Sequence, residues 1–255
     1  MRTALITGAS SGIGLELAHV LADEKSDLIL VARNKEKLLA LAEELKRNND
    51  INVKVIAKDL SKPEEVKALI DEVQNENIQY LINNAGFGYF GAYHECGWKT
   101  TQDMMELNMT TLAHLTHSLL PKMIERGSGK ILNVASVAGF LPGPNMAVYY
   151  ATKAFVLHFS EAIAQELKGT GVTVTALCPG PTESQFMDVS GMAETKLVKG
   201  RKLPTSKQVA EYGYQAMMRG QHIAVHGWGN FILSVLPRLF PRRLTTWVVS
   251  LIQKR

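Results

Sequence analysis

Seven short apolar runs, TALIT, DLILVA, NVKVIA, IQYLIN, KILNVAS, VTVTALC and HIAVH, recur along the chain, most of them separated by longer segments with helical periodicity. The periodicity predicts helices over residues 14–24, 35–47, 62–75, 101–126 and 149–167. A short apolar run without alternation fits a strand buried on both faces, and strands that alternate with helices build a parallel sheet. The expected fold class is therefore α/β: a Rossmann-like, doubly wound parallel sheet of about seven strands with helices on both faces. No internal repeat, low-complexity tract or linker divides the sequence, so residues 1–255 are expected to form one domain. The longest stretch without clear period, residues 179–205, carries Phe186, Met187 and Met192 and is expected to be a substrate loop or lid.

With 46% hydrophobic and 20% charged residues, the 255-residue chain can bury a large core, and a net charge of only +4 calls for no nucleic-acid partner. The charge is unevenly placed. Six of the 28 basic residues and none of the 24 acidic ones follow Glu211, so the last 44 residues carry +6 and the first 211 carry −2. Two cysteines, Cys96 and Cys178, make no disulfide framework and fit a reducing compartment; Cys178 reads as a small buried hydrophobe. RTALIT enters a strand at once and leaves no room for a signal peptide, which points to a cytoplasmic location. His114 and His117 sit three apart on a predicted helix without a third ligand, so no metal site is expected.

The turn from first strand to first helix reads TGASSGIG. There Gly8 allows a tight turn, Gly12 lets backbone approach a pyrophosphate, and Gly14 permits close packing of helix on strand. The helix start would offer its free N–H groups and partial positive charge to phosphates. Further on, YYATK places Tyr149 and Tyr150 four and three residues ahead of Lys153, so on a helix either phenol could lie beside the ammonium.

These features occur in a set order: G-x-x-x-G-x-G after the first strand, NNAG at residues 83–86 after the fourth, Ser136 in NVASVAG, Y-x-x-x-K, and Pro179–Gly180 after the sixth. Together they resemble the classical short-chain dehydrogenase/reductase (SDR) family over residues 7 to about 182. The resemblance implies a catalytic set of Asn108, Ser136, Tyr149 and Lys153, and so selects Tyr149 over Tyr150 as the reacting phenol. It also implies that Gly8, Ser10, Ser11, Gly12, Ile13, Gly14, Arg33, Asp59, Leu60, Asn84, Ala85, Gly86, Tyr149, Lys153, Pro179, Gly180 and Thr182 hold the cofactor. Asp59 would meet the adenine amino group and Asn83 would lie on the loop beside the adenosine. Asn108 would hold a water that leads protons to Lys153. A homodimer or homotetramer is implied in the same way.

A free tyrosine, with a pKa near ~10, exchanges protons poorly at neutral pH, and a neighbouring ammonium favours the phenolate. Such a pair suits proton transfer to or from the oxygen of a carbonyl or alcohol, with Ser136 donating a hydrogen bond to that oxygen. The cofactor reading rests on LILVARN at the end of the second strand. An acid there would accept from a ribose 2′-hydroxyl, but the sequence has Ala32 and then Arg33, which fits a 2′-phosphate and hence NADP(H). The sequence thus reads as an NADPH-dependent carbonyl reductase or alcohol dehydrogenase acting on an apolar ketone, aldehyde or 3-oxoacyl substrate. A non-catalytic NADP-binding regulatory protein is the other class that keeps the nucleotide motifs.

Beyond the nucleotide fold lies a basic, apolar extension, residues 228–255. Residues 231–251 are apolar enough to suggest a span, but Arg238, Arg242 and Arg243 near the middle cost about 2.5–3.5 kcal/mol each in a bilayer core. Pro237 and Pro241 interrupt any continuous helix, after which Leu244, Trp247, Val248, Leu251 and Ile252 recur at helical spacing. Two readings stand: the stripe packs on the body near the substrate mouth or a subunit contact, or it rests on anionic membrane.

Overall fold

A computed structural model of the chain describes residues 2–192, 200 and 202–253. In chain order the elements are β1 (Thr3–Thr7), α1 (Gly12–Asp23), β2 (Asp27–Ala32), α2 (Lys35–Asn49), β3 (Val53–Ala57), α3 (Pro63–Val73), β4 (Ile78–Asn83), α4 (Trp98–Met105), α5 (Leu112–Glu125), β5 (Gly129–Val134), α6 (Ala147–Glu166), β6 (Val172–Cys178), α7 (Gln185–Ser190), α8 (Ser206–Met218), β7 (Ile223–Val225), α9 (Trp228–Val235) and α10 (Arg242–Ile252). The seven strands form one parallel sheet in the order β3-β2-β1-β4-β5-β6-β7. That order reverses between β1 and β4, and the crevice outside the carboxyl ends of these two strands is where such a sheet takes a ligand.

Apolar clusters cover both faces of the sheet. Leu17, Leu21, Leu38 and Val209 pack one side, and Leu69, Leu115, Met123 and Leu167 pack the other. The helix ends follow local chemistry. Asn34 caps α2 by accepting from Lys37 N at 2.9 Å, and Pro63 opens α3 with Glu64 and Glu65 in its first turn. Thr205 and Gln208 form a reciprocal capping box at the start of α8.

The helical run predicted over residues 101–126 begins at Trp98 and is interrupted by a π-turn, Glu106–Thr111, which contains Asn108. The stretch 179–205 is less irregular than its composition suggested, because α7 lies within it. Its ends are tied together where Glu183 pairs with Thr205 and Ser206 Oγ donates to the Glu183 carbonyl at 2.8 Å. Residues 193–199 and 201 of that stretch, and the last two residues of the C-terminal extension, lie outside the described residues.

A buried polar chain crosses the middle of the sheet. Asn83 Nδ2 donates to Asn133 Oδ1 at 2.9 Å and to Thr116 Oγ1 at 3.1 Å; Asn133 Nδ2 donates to Ser160 Oγ at 2.9 Å. Asn83 and Asn133 are register partners on β4 and β5, and Ser160 is on α6. This corrects the expectation for Asn83: it is the last residue of β4, only 3% exposed, and serves the core rather than a loop beside the adenosine. The chain fixes α6, which carries Tyr149 and Lys153, against the sheet centre.

Replacing Asn133 by Ala removes the middle link and leaves buried partners unsatisfied, so urea unfolding should show a loss of about 1–3 kcal/mol. A loss below about 0.5 kcal/mol, the scale of a neutral surface change, would mean that the chain does not hold α6.

Candidate active site and cofactor cleft

At the switch point the loop after β1 is held from beneath. Thr7 Oγ1 donates to the Ile82 carbonyl and accepts from the amides of Asn84 and Ala85, while Asn84 Nδ2 donates to the carbonyls of Thr7 and Gly8. Asn84, not Asn83, is therefore the side chain that shapes the Gly-rich turn. Gly12 has φ +57, a conformation that L side chains resist, and opens α1 with its backbone toward the cleft. Gly14 faces the other way: a Cβ there would collide with the Gly8 carbonyl and the Asn84 amide. Gly14 is thus the close-packing glycine, and it packs against the loop after β1 and the loop after β4 rather than directly on a strand. Ser11 caps α1 without a side-chain bond to the helix.

Of the residues expected to form the site, all but Gly14 and Asn108 line a single cleft of about 680 Å³. At one end lies the carboxyl end of β2. Ala32 is buried, and Arg33 is exposed along the cleft wall with Lys37, one turn into α2, beside it. Among the described residues neither cation closes a salt bridge. Burial pulls the Asp59 carboxyl upward, but bonds from the Ser61 hydroxyl (2.8 Å) and amide (3.1 Å), with the Arg33 and Lys62 charges, outweigh it and hold the group below its ordinary value. Both bonds fall on Oδ1.

The phenol and lysine sit midway. Tyr149 and Lys153 are 8% and 6% exposed, and Lys153 Nζ stands 5.8 Å from the Tyr149 ring centroid while donating to the Val134 carbonyl at 2.7 Å. Burial lowers the Lys153 ammonium to about 8. Burial likewise pushes the Tyr149 phenol well above its usual range, against a hydrogen bond shared with Ser136. Ser136 is oriented by its place: as the cap of the 3-10 turn Val137–Phe140 it accepts from Ala138 N at 3.1 Å and donates toward the Pro179 carbonyl at 3.4 Å. Tyr150 has a different partner. Its hydroxyl accepts from Gln253 Nε2 just after α10, and burial raises it to about 12. The two candidate phenols are thereby distinguished: Tyr149 faces Ser136 and Lys153, whereas Tyr150 faces the C-terminal helix.

Asn108 lies beneath the cleft, 2% exposed, its amide committed on both sides. It accepts from Phe87 N at 3.1 Å and donates to the Phe87 carbonyl and Thr152 Oγ1, both at 3.0 Å. The side chain ties the loop after β4 to α6 one residue before Lys153. Pro179, Gly180 and Thr182 close the cleft from the β6 side, with Thr182 Oγ1 donating to the Gly180 carbonyl at 3.0 Å.

Beyond Tyr149 the walls are apolar: Leu141, Phe186, Met187 and Met192, with the Phe186 ring 5.3 Å from that of Tyr149. The outer wall matches one of the two readings of the C-terminal stripe, packing near the substrate mouth, and adds residues from α9 and the turn after it. Asn230 from α9, Leu236, Phe240, and Leu244, Val248, Ile252 and Gln253 from the α10 region all line it. The apolar stripe of α10 is split, since Leu244, Val248 and Ile252 border the cleft while Trp247 and Leu251 point away and are exposed.

A nicotinamide dinucleotide fits this arrangement. The N–H groups opening α1 suit a diphosphate, the turned Gly12 leaves room for close approach, and the cleft runs unbroken from Arg33 to the Tyr149 hydroxyl.

The model of the family described as short chain dehydrogenase matches residues 2–194. Sulfoacetaldehyde reductase 2 of Chromohalobacter salexigens is 39% identical over 189 residues, which cover 71% of this chain and 73% of that protein. Among solved structures, a short-chain dehydrogenase from Sphingobium yanoikuyae in complex with NADPH is 30% identical with a TM-score of 0.84, covering 94% of this chain and 91% of its own. A short chain dehydrogenase/reductase from Burkholderia phymatum in complex with NAD is 25% identical with a TM-score of 0.83, covering 93% of each chain. Sheet order, cleft and these matches agree: the chain belongs to the short-chain dehydrogenase family of nicotinamide-dependent oxidoreductases.

Proposed function

We propose that the protein is an NADPH-dependent carbonyl reductase in which Tyr149 is the general acid. The observation that carries this reading is the grouping of the Tyr149 phenol, Ser136 and the Lys153 ammonium in one cleft with Arg33 at its far end. A bound reduced nicotinamide supplies a hydride to the carbonyl carbon. Tyr149, held protonated by burial, gives its proton to the oxygen as negative charge develops there. Ser136 steadies the same oxygen with its hydroxyl. Lys153 remains mostly protonated at neutral pH, and its charge favours the phenolate left behind. Run in reverse, the same groups take a proton from an alcohol.

The residues that would hold the cofactor are read from the walls of the cleft. The amides of Ser11, Gly12 and Ile13 suit the diphosphate, Asp59 the adenine amino group, and Lys153 the ribose beside the nicotinamide. Arg33, with Lys37 next to it and no acid at the end of β2, suits a 2′-phosphate, which supports NADPH over NADH. Among the described residues no cation lines the cleft wall beyond the Tyr149–Lys153 pair, and that end is largely apolar, so the substrate class is an apolar ketone, aldehyde or 3-oxoacyl compound.

Tyr149→Phe should lower turnover of such a carbonyl by at least ~100-fold with NADPH affinity nearly unchanged, whereas Tyr150→Phe should do far less. Reversed effects in steady-state assays of the two variants would reassign the proton donor. Arg33→Ala should weaken NADPH binding by about 10- to 150-fold and leave NADH binding almost unaltered, as measured by nucleotide titration. Equal losses for the two nucleotides would show that the arginine does not read the 2′-phosphate.

A further inference from the structure

The C-terminal helices present an outer face that the cleft does not use. Seventeen large apolar side chains are exposed among the described residues, and twelve of them fall between Trp228 and Leu251. Of these twelve, Trp228 (76%), Leu239 (74%) and Trp247 (59%) are the most open, and none of the three borders the cleft. An apolar surface this dense exceeds the scattered exposure normal for a soluble chain and marks a site of association. The surface also carries charge of one sign. Arg242 and Arg243 are exposed on the first turn of α10, neither closes a salt bridge among the described residues, and no acidic residue follows Glu211 anywhere in the sequence.

We propose that α9, α10 and the turn between them seat the protein on an anionic lipid bilayer surface, with the aromatic and leucine side chains entering the interface and Arg242 and Arg243 meeting lipid phosphates. Spanning is ruled out for the described residues, since no helix is long and apolar enough to cross, and the chain between α9 and α10 contains Pro237 and Pro241. A helix with a wide apolar face, arginines and an interfacial tryptophan is instead the kind that lies in the headgroup region. A second copy of the chain fits this surface less well. An isologous contact repeats the same residues from both sides, so it would gather four exposed arginines with no acid from the segment to balance them. Leu233, Leu236 and Phe240 belong both to the exposed surface and to the cleft wall, so in this pose the cleft opens toward lipid.

The test uses the full chain with vesicles of phosphatidylcholine alone or mixed with phosphatidylglycerol, in sedimentation assays at about 0.05 M and about 0.5 M salt, conditions that bracket weak and strong screening. The expected result is binding to the mixed vesicles at low salt that falls at least ~10-fold at high salt and equally in R242E/R243E, whose NADPH affinity is unchanged. Brominated lipids should quench wild-type tryptophan emission and do so much less in Trp247→Ser. The proposal is overturned by an absence of vesicle binding at low salt, or by binding that R242E/R243E and Trp247→Ser leave intact. It is overturned equally if sedimentation equilibrium finds a dimer that Leu239→Ser and Trp247→Ser dissociate and that binds no vesicles, which would assign the surface to a second copy.

Discussion

A lysine ammonium held out of water beside a phenol is the constraint around which the site is arranged. Lys153 is 6% exposed, donates a hydrogen bond to the backbone of β5, and burial brings its pKa down from the ordinary 10.5 to about 8. Such a group costs stability. Because the folded value lies below the unfolded one, the unfolded chain binds more protons between pH values of about 8 and 10.5, so stability rises with pH across that window and the penalty is full below it. A fold keeps a charge in that position only if something else holds the surroundings in place, and here the Asn83–Asn133–Ser160 chain and the Asn108 clamp on Phe87 and Thr152 hold α6 and its neighbours. The polar core is thus a support for the site as much as a part of the sheet.

From that centre the cleft extends in two directions with different chemistry. Toward β2 it is cationic and open, which suits a phosphorylated ribose; past Tyr149 it is apolar and roofed by α7 and by the C-terminal helices. Tyr150 links the two parts of the protein, since its ring packs edge-on against Tyr149, centroids 6.2 Å apart, while its hydroxyl receives Gln253. Movement of α10 therefore reaches the residue adjoining the proposed proton donor through one hydrogen bond.

Much of the fold was legible because parallel strands buried on both faces leave an unbroken apolar signature, and all seven runs became strands. What failed had physical reasons. Helix α8 packs against α1 and buries small residues, Ala210, Gly213 and Ala216, with Gly213 facing Leu177 of β6; their weak apolar contrast hides the helical period, and the Thr205–Gln208 capping box was the available signal. The π-turn at Asn108 changes no residue pattern. Asn83 and Asn84 are neighbours of the same type, and only sheet register decides which one enters the core. Lys37 could have been found, lying one helical turn beyond Arg33, but Gln253 could not, since it meets Tyr150 across 103 residues.

The depressed Lys153 ammonium is open to direct measurement. With carbon-13 at the lysine ε-position and the Lys153 signal identified by its loss in K153M, a pH titration of the free protein by NMR should give a midpoint near about 8 for that residue. A midpoint at the ordinary 10.5 or above would show that the charge is solvated or paired, and would contradict the account of a buried lysine serving the Tyr149 phenol.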